Sequence, residues 1–175
     1  MKIQTQLNEE LRQLATMIEP MSVAMLTTAN GNGGELASRP MSPLAMDASG
    51  AIWFFTDLRS AKVEHLRVVN LAFSDEAEAR YVSVSGRGEI ETDRARIERL
   101  WTPVAKPWFP EGSGSTNLAL LKVVPDSVEY WDAPNSKMVR MFAMAASVLA
   151  GQPIGLGEHA RHIGLDHCAP ASVVS

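Results

Sequence analysis

The chain has 175 residues, enough for one domain and one sizeable core. Hydrophobic residues make up 46% and charged residues 21%, globular proportions that exclude a disordered chain. A formal net charge of -4 sets the average surface against a polyanion, which excludes general nucleic-acid binding but leaves room for a few local cations to hold one small phosphate.

Leu7, Leu11, Leu14 and Ile18 recur at helical spacing among Glu9, Glu10 and Arg12, predicting an amphipathic helix ended by Pro20. Residues 22–28 read as a strand, and Asn30-Gly31-Asn32-Gly33-Gly34 as a hairpin turn, because both residue types accept positive φ. The returning strand, residues 35–45, carries Pro40 and Pro43, which predicts an edge, a bulge or a bend. After a turn at Asp47-Ala48-Ser49-Gly50, residues 51–56 (Ala-Ile-Trp-Phe-Phe-Thr) form a strand-prone run. Ser60 reads as the N-cap of a short helix over residues 61–70, closed by Asn70. A short strand at residues 71–74 and an acidic turn lead into a long strand at residues 81–90. Gly86 and Gly88 inside that strand predict a bend or a close backbone approach. Asp93 caps a helix running to about Leu100. Residues 102–116 hold three prolines and two glycines around Trp108-Phe109, too apolar at the centre for a plain linker. Residues 118–124 and 128–131 read as two strands around Pro125, and residues 137–149 as the last strand. The remainder lacks a period and is expected to be loosely ordered, so the chain divides into a domain at 1–150 and a tail at 151–175.

The fold class is therefore mainly β: six or seven antiparallel strands on short turns, with three helices, closing into a small barrel. Cys168 is the single cysteine, and the opening residues lack the apolar run of a secretion signal. The longest apolar run, residues 141–151, is too short to span a bilayer. A cytoplasmic protein without a membrane span is expected.

No Cys-x-x-Cys, His-Glu-x-x-His, Walker loop or Gly-x-Gly-x-x-Gly is present. His159, His162, Asp166, His167 and Cys168 gather in the tail, but their spacing matches no standard ligand set, so no metal site is expected. The informative stretch is Ser38-Arg39-Pro40-Met41, then Trp53-Phe54-Phe55-Thr56, then Ser60-Ala61-Lys62. Arg39 offers a planar fork suited to phosphate. Lys62, in the first turn of the short helix, joins free backbone N–H groups there. Thr56 and Ser60 add hydroxyls, and Met41, Phe54 and Phe55 an apolar wall. On the residues alone a plainer reading stands beside this one: solvated surface charges, with the aromatics filling a core.

These segments stand in order with Tyr81-Val82-Ser83-Val84-Ser85-Gly86, Leu100-Trp101, Trp108-Phe109-Pro110-Glu111-Gly112 and Val128-Glu129-Tyr130-Trp131-Asp132. In this the chain, from about Leu7 to Leu149, resembles the pyridoxamine-phosphate-oxidase-like split barrels, specifically the general stress protein 26 branch. The resemblance implies a six-stranded antiparallel split barrel that binds FMN and forms a homodimer with the cofactor at the interface. It implies that Arg39 and Lys62 hold the FMN phosphate with Thr56 and Ser60 assisting. By the same resemblance Ser38, Pro40, Met41, Phe54 and Phe55 border the isoalloxazine and ribityl chain, and Tyr81 and Trp108 reach the cofactor across the dimer. The true oxidases carry an Arg-rich motif with a histidine after the Glu-aromatic-Trp segment. Here that region reads Asp132-Ala133-Pro134-Asn135-Ser136-Lys137, so pyridoxine phosphate oxidation is not part of the expectation. What is expected is an FMN-binding flavoprotein, an oxidoreductase on a small-molecule redox substrate with a stress-related role, for which no acid or base is named. The rival readings are a flavin-binding sensor without turnover, the same barrel using FAD, a deazaflavin or haem, and a purely structural barrel.

Overall fold

The structure, a computed structural model, describes residues 1–29, 35–132 and 163–164. Strands β2 (Ala24–Ala29) and β6 (Val69–Asp75), and β7 (Arg80–Glu91) as far as Gly86, alternate between buried and more exposed positions. Ala24, Leu26, Val69, Leu71, Phe73, Val82 and Val84 turn inward and are buried. Met25, Ala72 and Tyr81 turn outward and are exposed. This is the period of a sheet with one face on a core. β5 (Ile52–Asp57) is buried on both faces. Ile52 and Phe54 join the main core, while Trp53 and Phe55 pack with Ile97, Leu118 and Leu120 on the other side.

With β1 (Lys2–Ile3), β3 (Leu36–Met41), β4 (Ala45–Met46) and β8 (Leu118–Asp132), the strands line up as β1-β4-β5-β8-β7-β6-β2-β3. Inner faces of β2, β5, β6, β7 and β8 all feed one hydrophobic cluster, so the sheet curls round a single core. The path begins at β1 and ends at β3 without a bond between them, which leaves the barrel split. Helix α1 (Glu9–Ile18) adds Leu11, Leu14, Ala15, Met17 and Ile18 to that core. Each fully buried Leu, Ile or Phe side chain contributes about 1.5–3 kcal/mol, so this shared core holds the curl in place. Asn8 caps α1 by accepting the Leu11 N–H at 2.8 Å. Helix α2 (Arg94–Leu100) is capped by Asp93, which accepts the N–H groups of Ala95 and Arg96.

The sequence reading departs from the structure in several places. Leu7 precedes the α1 cap and is exposed, so it is not part of the helical stripe. The helix over 61–70 is a single 3-10 turn, Ala61–Glu64, and Asn70 lies within β6. There it donates to the hydroxyls of Ser83 and Ser85, where a helix terminus was expected. Residues 118–131 form one strand, because Pro125 sits at a bulge where a missing N–H costs little. At that bulge Ser85 pairs with Ser127 but Gly86 with Pro125, leaving Asp126 as the extra residue. The described strands number nine, three of them two residues long, so six or seven was a slight undercount. One of these, β9 (Ile163–Gly164), pairs with Val128 and Ser127 of β8. The expected strand at 137–149, the histidine-rich cluster with Cys168, and the rest of the tail lie outside the described residues.

Two other expectations hold. β3, with Pro40 in it, is an edge strand. A Cβ on Gly86 would run into the carbonyl oxygen of Val124, and one on Gly88 would lie 3.0 Å from Leu66 and Leu121.

Candidate functional site: two unpaired cations beside the split

Arg39 stands opposite Leu26 across the β2–β3 pair, and Met41 opposite Ala24. Directly paired residues share a face, so Arg39 and Met41 point to the inner side of the sheet, with Thr28 a diagonal neighbour of Arg39. The chain leaves β5 at Asp57, turns, and brings Lys62 to the same place. Its Nζ lies 3.7 Å from the Met41 sulfur.

Among the described residues neither cation has an anionic partner. Arg39 Nη1 is buried without a hydrogen-bond partner, and so are the hydroxyls of Thr28 and Thr56. The Lys62 ammonium is pushed below its ordinary pKa, first by burial and next by the nearby Arg39 charge. The Asp57 carboxylate opposes that shift in part. Two like charges half-withdrawn from water destabilise one another unless an anion lies between them. Buried polar atoms without partners are uncommon in folded proteins and mark places where a ligand or ordered water completes the network. The arrangement is chemically suited to a small, highly charged anion such as a phosphate monoester.

The loop that delivers Lys62 is shaped by Asp57. Its Oδ1 accepts the Arg59 backbone N–H at 2.8 Å, and its backbone carbonyl accepts the Ser60 N–H at 3.0 Å. The Arg59 guanidinium then grips both carboxylate oxygens, Nε at 3.0 Å and Nη2 at 2.7 Å. That fork, with the backbone N–H, holds the Asp57 carboxyl at a pKa of about 2. Ser60 stands at the start of the 3-10 turn, but its side chain caps nothing. A four-residue turn has little dipole, so the Lys62 charge carries what the helix start was expected to add.

The structure sorts the residues singled out in the sequence. Arg39, Met41 and Lys62 come together. Thr56 is buried on the inner face of β5, with Ile52 and Phe54. Phe54 has no exposed surface and belongs to the core, so it gives no wall to a ligand in this chain. Phe55 points the other way, its ring 5.7 Å from Trp101 and 6.1 Å from Phe109. Ser38 and Pro40 lie on the outer face of β3, where the Ser38 hydroxyl meets that of Thr27 at 2.8 Å. Tyr81 is exposed on the outer face of β7, and Trp108 projects from the 102–116 loop. Thr28 was missed, although a hydroxyl in the inward position that follows Ala24 and Leu26 is a visible break in a period-two pattern. Asp57 and Arg59 were missed too, although Asp followed two residues later by Arg after a strand is the composition of an Asx turn.

A split, curled, largely antiparallel sheet with two cations against its edge strand defines a small barrel rather than an open sheet or a sandwich. The chain belongs to the pyridoxamine 5'-phosphate oxidase like family, whose model matches residues 9–154. A crystal structure assigned to general stress protein 26 from Jannaschia sp. CCS1 is 27% identical, covering 87% of this chain and 96% of that one with a TM-score of 0.67. The general stress FMN/FAD binding protein of Xanthomonas citri is 29% identical, covering 74% of this chain and 92% of its own, with a TM-score of 0.61. Protein bli-3 of Neurospora crassa is 24% identical over 159 residues, 84% of this chain and 76% of that protein. The resemblance read from the sequence and the split-barrel fold class are both borne out.

Proposed function

We propose that the chain is an FMN-binding flavoprotein and that Arg39 and Lys62 hold the FMN phosphate. The observation that carries this is the pair of cations without counter-ions among the described residues, with buried donors there that also lack partners. The donor set fits a phosphate monoester: one fork, one ammonium, and the hydroxyls of Thr28, Thr56 and Ser60 close in sequence or on the same face. The relative from Xanthomonas citri is an FMN/FAD binding protein, which supports a flavin over other phosphate esters. In this reading Arg39 and Lys62 neutralise and orient the phosphate, and the Met41 thioether provides a soft apolar contact next to it.

Ser38, Pro40 and Tyr81, on the outer face of the sheet, and the exposed Trp108 contribute across a homodimer in which each chain's outer face meets the other's site. Supporting this, the outer faces of β2, β6 and the first half of β7 present Met25, Thr27, Asn70, Ala72, Ser83 and Ser85, a patch without charge that ends where Arg87 and Glu89 follow on β7. Bound flavin supplies reversible one- and two-electron chemistry, so the activity proposed is oxidoreduction of a small molecule. A stress-related role goes with it, on the strength of the relatives' descriptions, and a cytoplasmic location is proposed from the sequence reading alone.

The test is the visible absorption spectrum of the purified protein, followed by mass spectrometry of the released cofactor and light scattering for the assembly. Oxidised-flavin bands, a released mass of FMN and a dimer are the expected results. A colourless protein that takes up no flavin in titration overturns the reading. A released mass of FAD corrects the cofactor.

A further inference from the structure

Among the described residues Lys62 has no anionic partner, although Asp57 opens the short loop that carries it, where the Ser60 N–H bonds the Asp57 carbonyl and the Val63 N–H the Ser60 carbonyl, each at 3.0 Å, and its charge acts on the ammonium. In a half-buried setting an ammonium ordinarily pairs with such a neighbour. The reason it does not lies in the loop. Both oxygens of Asp57 are taken by the Arg59 fork, at 3.0 and 2.7 Å, and Oδ1 also accepts the Arg59 backbone N–H at 2.8 Å. Arg59 itself is exposed and far from committed to packing, with 71% of its side chain open to solvent. Among the described residues its hydrogen bonds and ion pair are with Asp57, and Glu111 adds a longer-range field.

We infer that Arg59 is a positioning residue for the anion site: by occupying the Asp57 carboxylate it keeps that carboxylate from capturing Lys62, and so keeps Lys62 available for phosphate. This rests on the reading of Lys62 as a phosphate-binding group. Asp57 is needed for the loop, since its side chain and carbonyl shape the turn between β5 and Lys62. Its negative charge is nevertheless a competitor for the same ammonium. A forked guanidinium resolves the conflict, because it satisfies both oxygens in one plane while cancelling the charge. Arg59→Ala frees the carboxylate to swing to Lys62, and the phosphate then has to displace it.

The experiment is FMN titration by flavin fluorescence quenching at low and moderate salt, on the full chain and three variants. Arg59→Ala is expected to weaken FMN about three- to tenfold, the range for one partly exposed ion pair, with the effect shrinking as salt rises. Asp57→Asn keeps an oxygen for the Arg59 N–H and removes the charge, so it binds FMN as tightly as the parent chain or about two- to fivefold tighter. Arg59→Ala combined with Asp57→Asn is expected to regain the parent affinity, which a purely structural role for Arg59 does not predict. The inference is overturned if Arg59→Ala binds as the parent does, or if adding Asp57→Asn fails to restore it. A direct Arg59–phosphate contact also predicts no restoration. Should Arg59→Ala not fold, Asp57→Asn alone decides: weaker binding in that variant contradicts the competition. Failure of the parent chain to bind FMN at all is a separate outcome that removes the underlying site assignment.

Discussion

Arg39 and Lys62 stand close enough that the guanidinium disfavours the charged lysine, and neither has a counter-ion among the described residues. They reach this position from different elements, Arg39 from the inner face of an edge strand and Lys62 from a 3-10 turn after β5. Such a pair is a standing cost to the ligand-free fold, and an anion turns the cost into affinity. Arg39→Ala is expected to lose a charge-assisted contact of about 1.5–3 kcal/mol, or roughly 10- to 100-fold in FMN affinity. Fluorescence titration reads this directly, and unchanged affinity would refute the role.

The same pair sets a stability prediction with a definite sign. Lys62 has a folded-state pKa below its ordinary 10.5. Between the two values the unfolded chain binds more protons, so stability rises with pH across that window, and below it the penalty is fully present. Lys62→Met is therefore expected to raise the thermal midpoint of the ligand-free protein at neutral pH while weakening FMN. The gain over the parent chain should shrink as pH approaches 10.5. Paired melting curves at neutral and alkaline pH check it, and a lower midpoint for the variant at neutral pH contradicts it.

Phe54 and Phe55 separate core from site. Phe54 has no exposed surface, so Phe54→Ala is expected to cost about 3–5 kcal/mol in urea unfolding. Phe55→Ala, from a half-buried position against Trp101 and Phe109, should cost less. Equal costs would mean that the two faces of β5 are packed alike.

Gly86→Ala tests the bulge. The added Cβ meets the Val124 carbonyl oxygen, which belongs to backbone and cannot rotate away. A loss of about 3 kcal/mol or more is expected from overpacking at a rigid partner, measured by the same unfolding. A near-neutral effect would show that β8 can give way there.

How much of this was legible in the sequence follows from which patterns carry one meaning. The alternating strands were readable because burial on one face imposes period two, and the cap at Asp93 is local chemistry. The Trp53-Phe54-Phe55 run hid which side each ring takes, because a strand buried on both faces has no alternation to read. Asn70 was misread for a related reason: Val69, Leu71 and Phe73 alternate as a strand, but Val63, Leu66 and Val69 nearby also fit a helix. Pro125 suggested a break, yet a bulge opposite Gly86 removes the need for its N–H. At the site, residue types marked Arg39 and Lys62. The opposite facing of Ser38 and Pro40 needed only the strand period, once the β2–β3 register was known. The Arg59 fork on Asp57 could not be read, since side-chain geometry decides whether a surface arginine commits to one carboxylate.

The central claim is that the two cations recognise the terminal phosphate of the flavin, and comparing FMN with riboflavin, which lacks that phosphate, tests it most directly. The parent chain should bind FMN at least about tenfold more tightly than riboflavin, the low end of one charge-assisted contact, and an Arg39→Ala, Lys62→Ala double variant should bind the two alike. Equal affinities in the parent chain, or a preference for FMN that survives loss of both cations, would contradict the account.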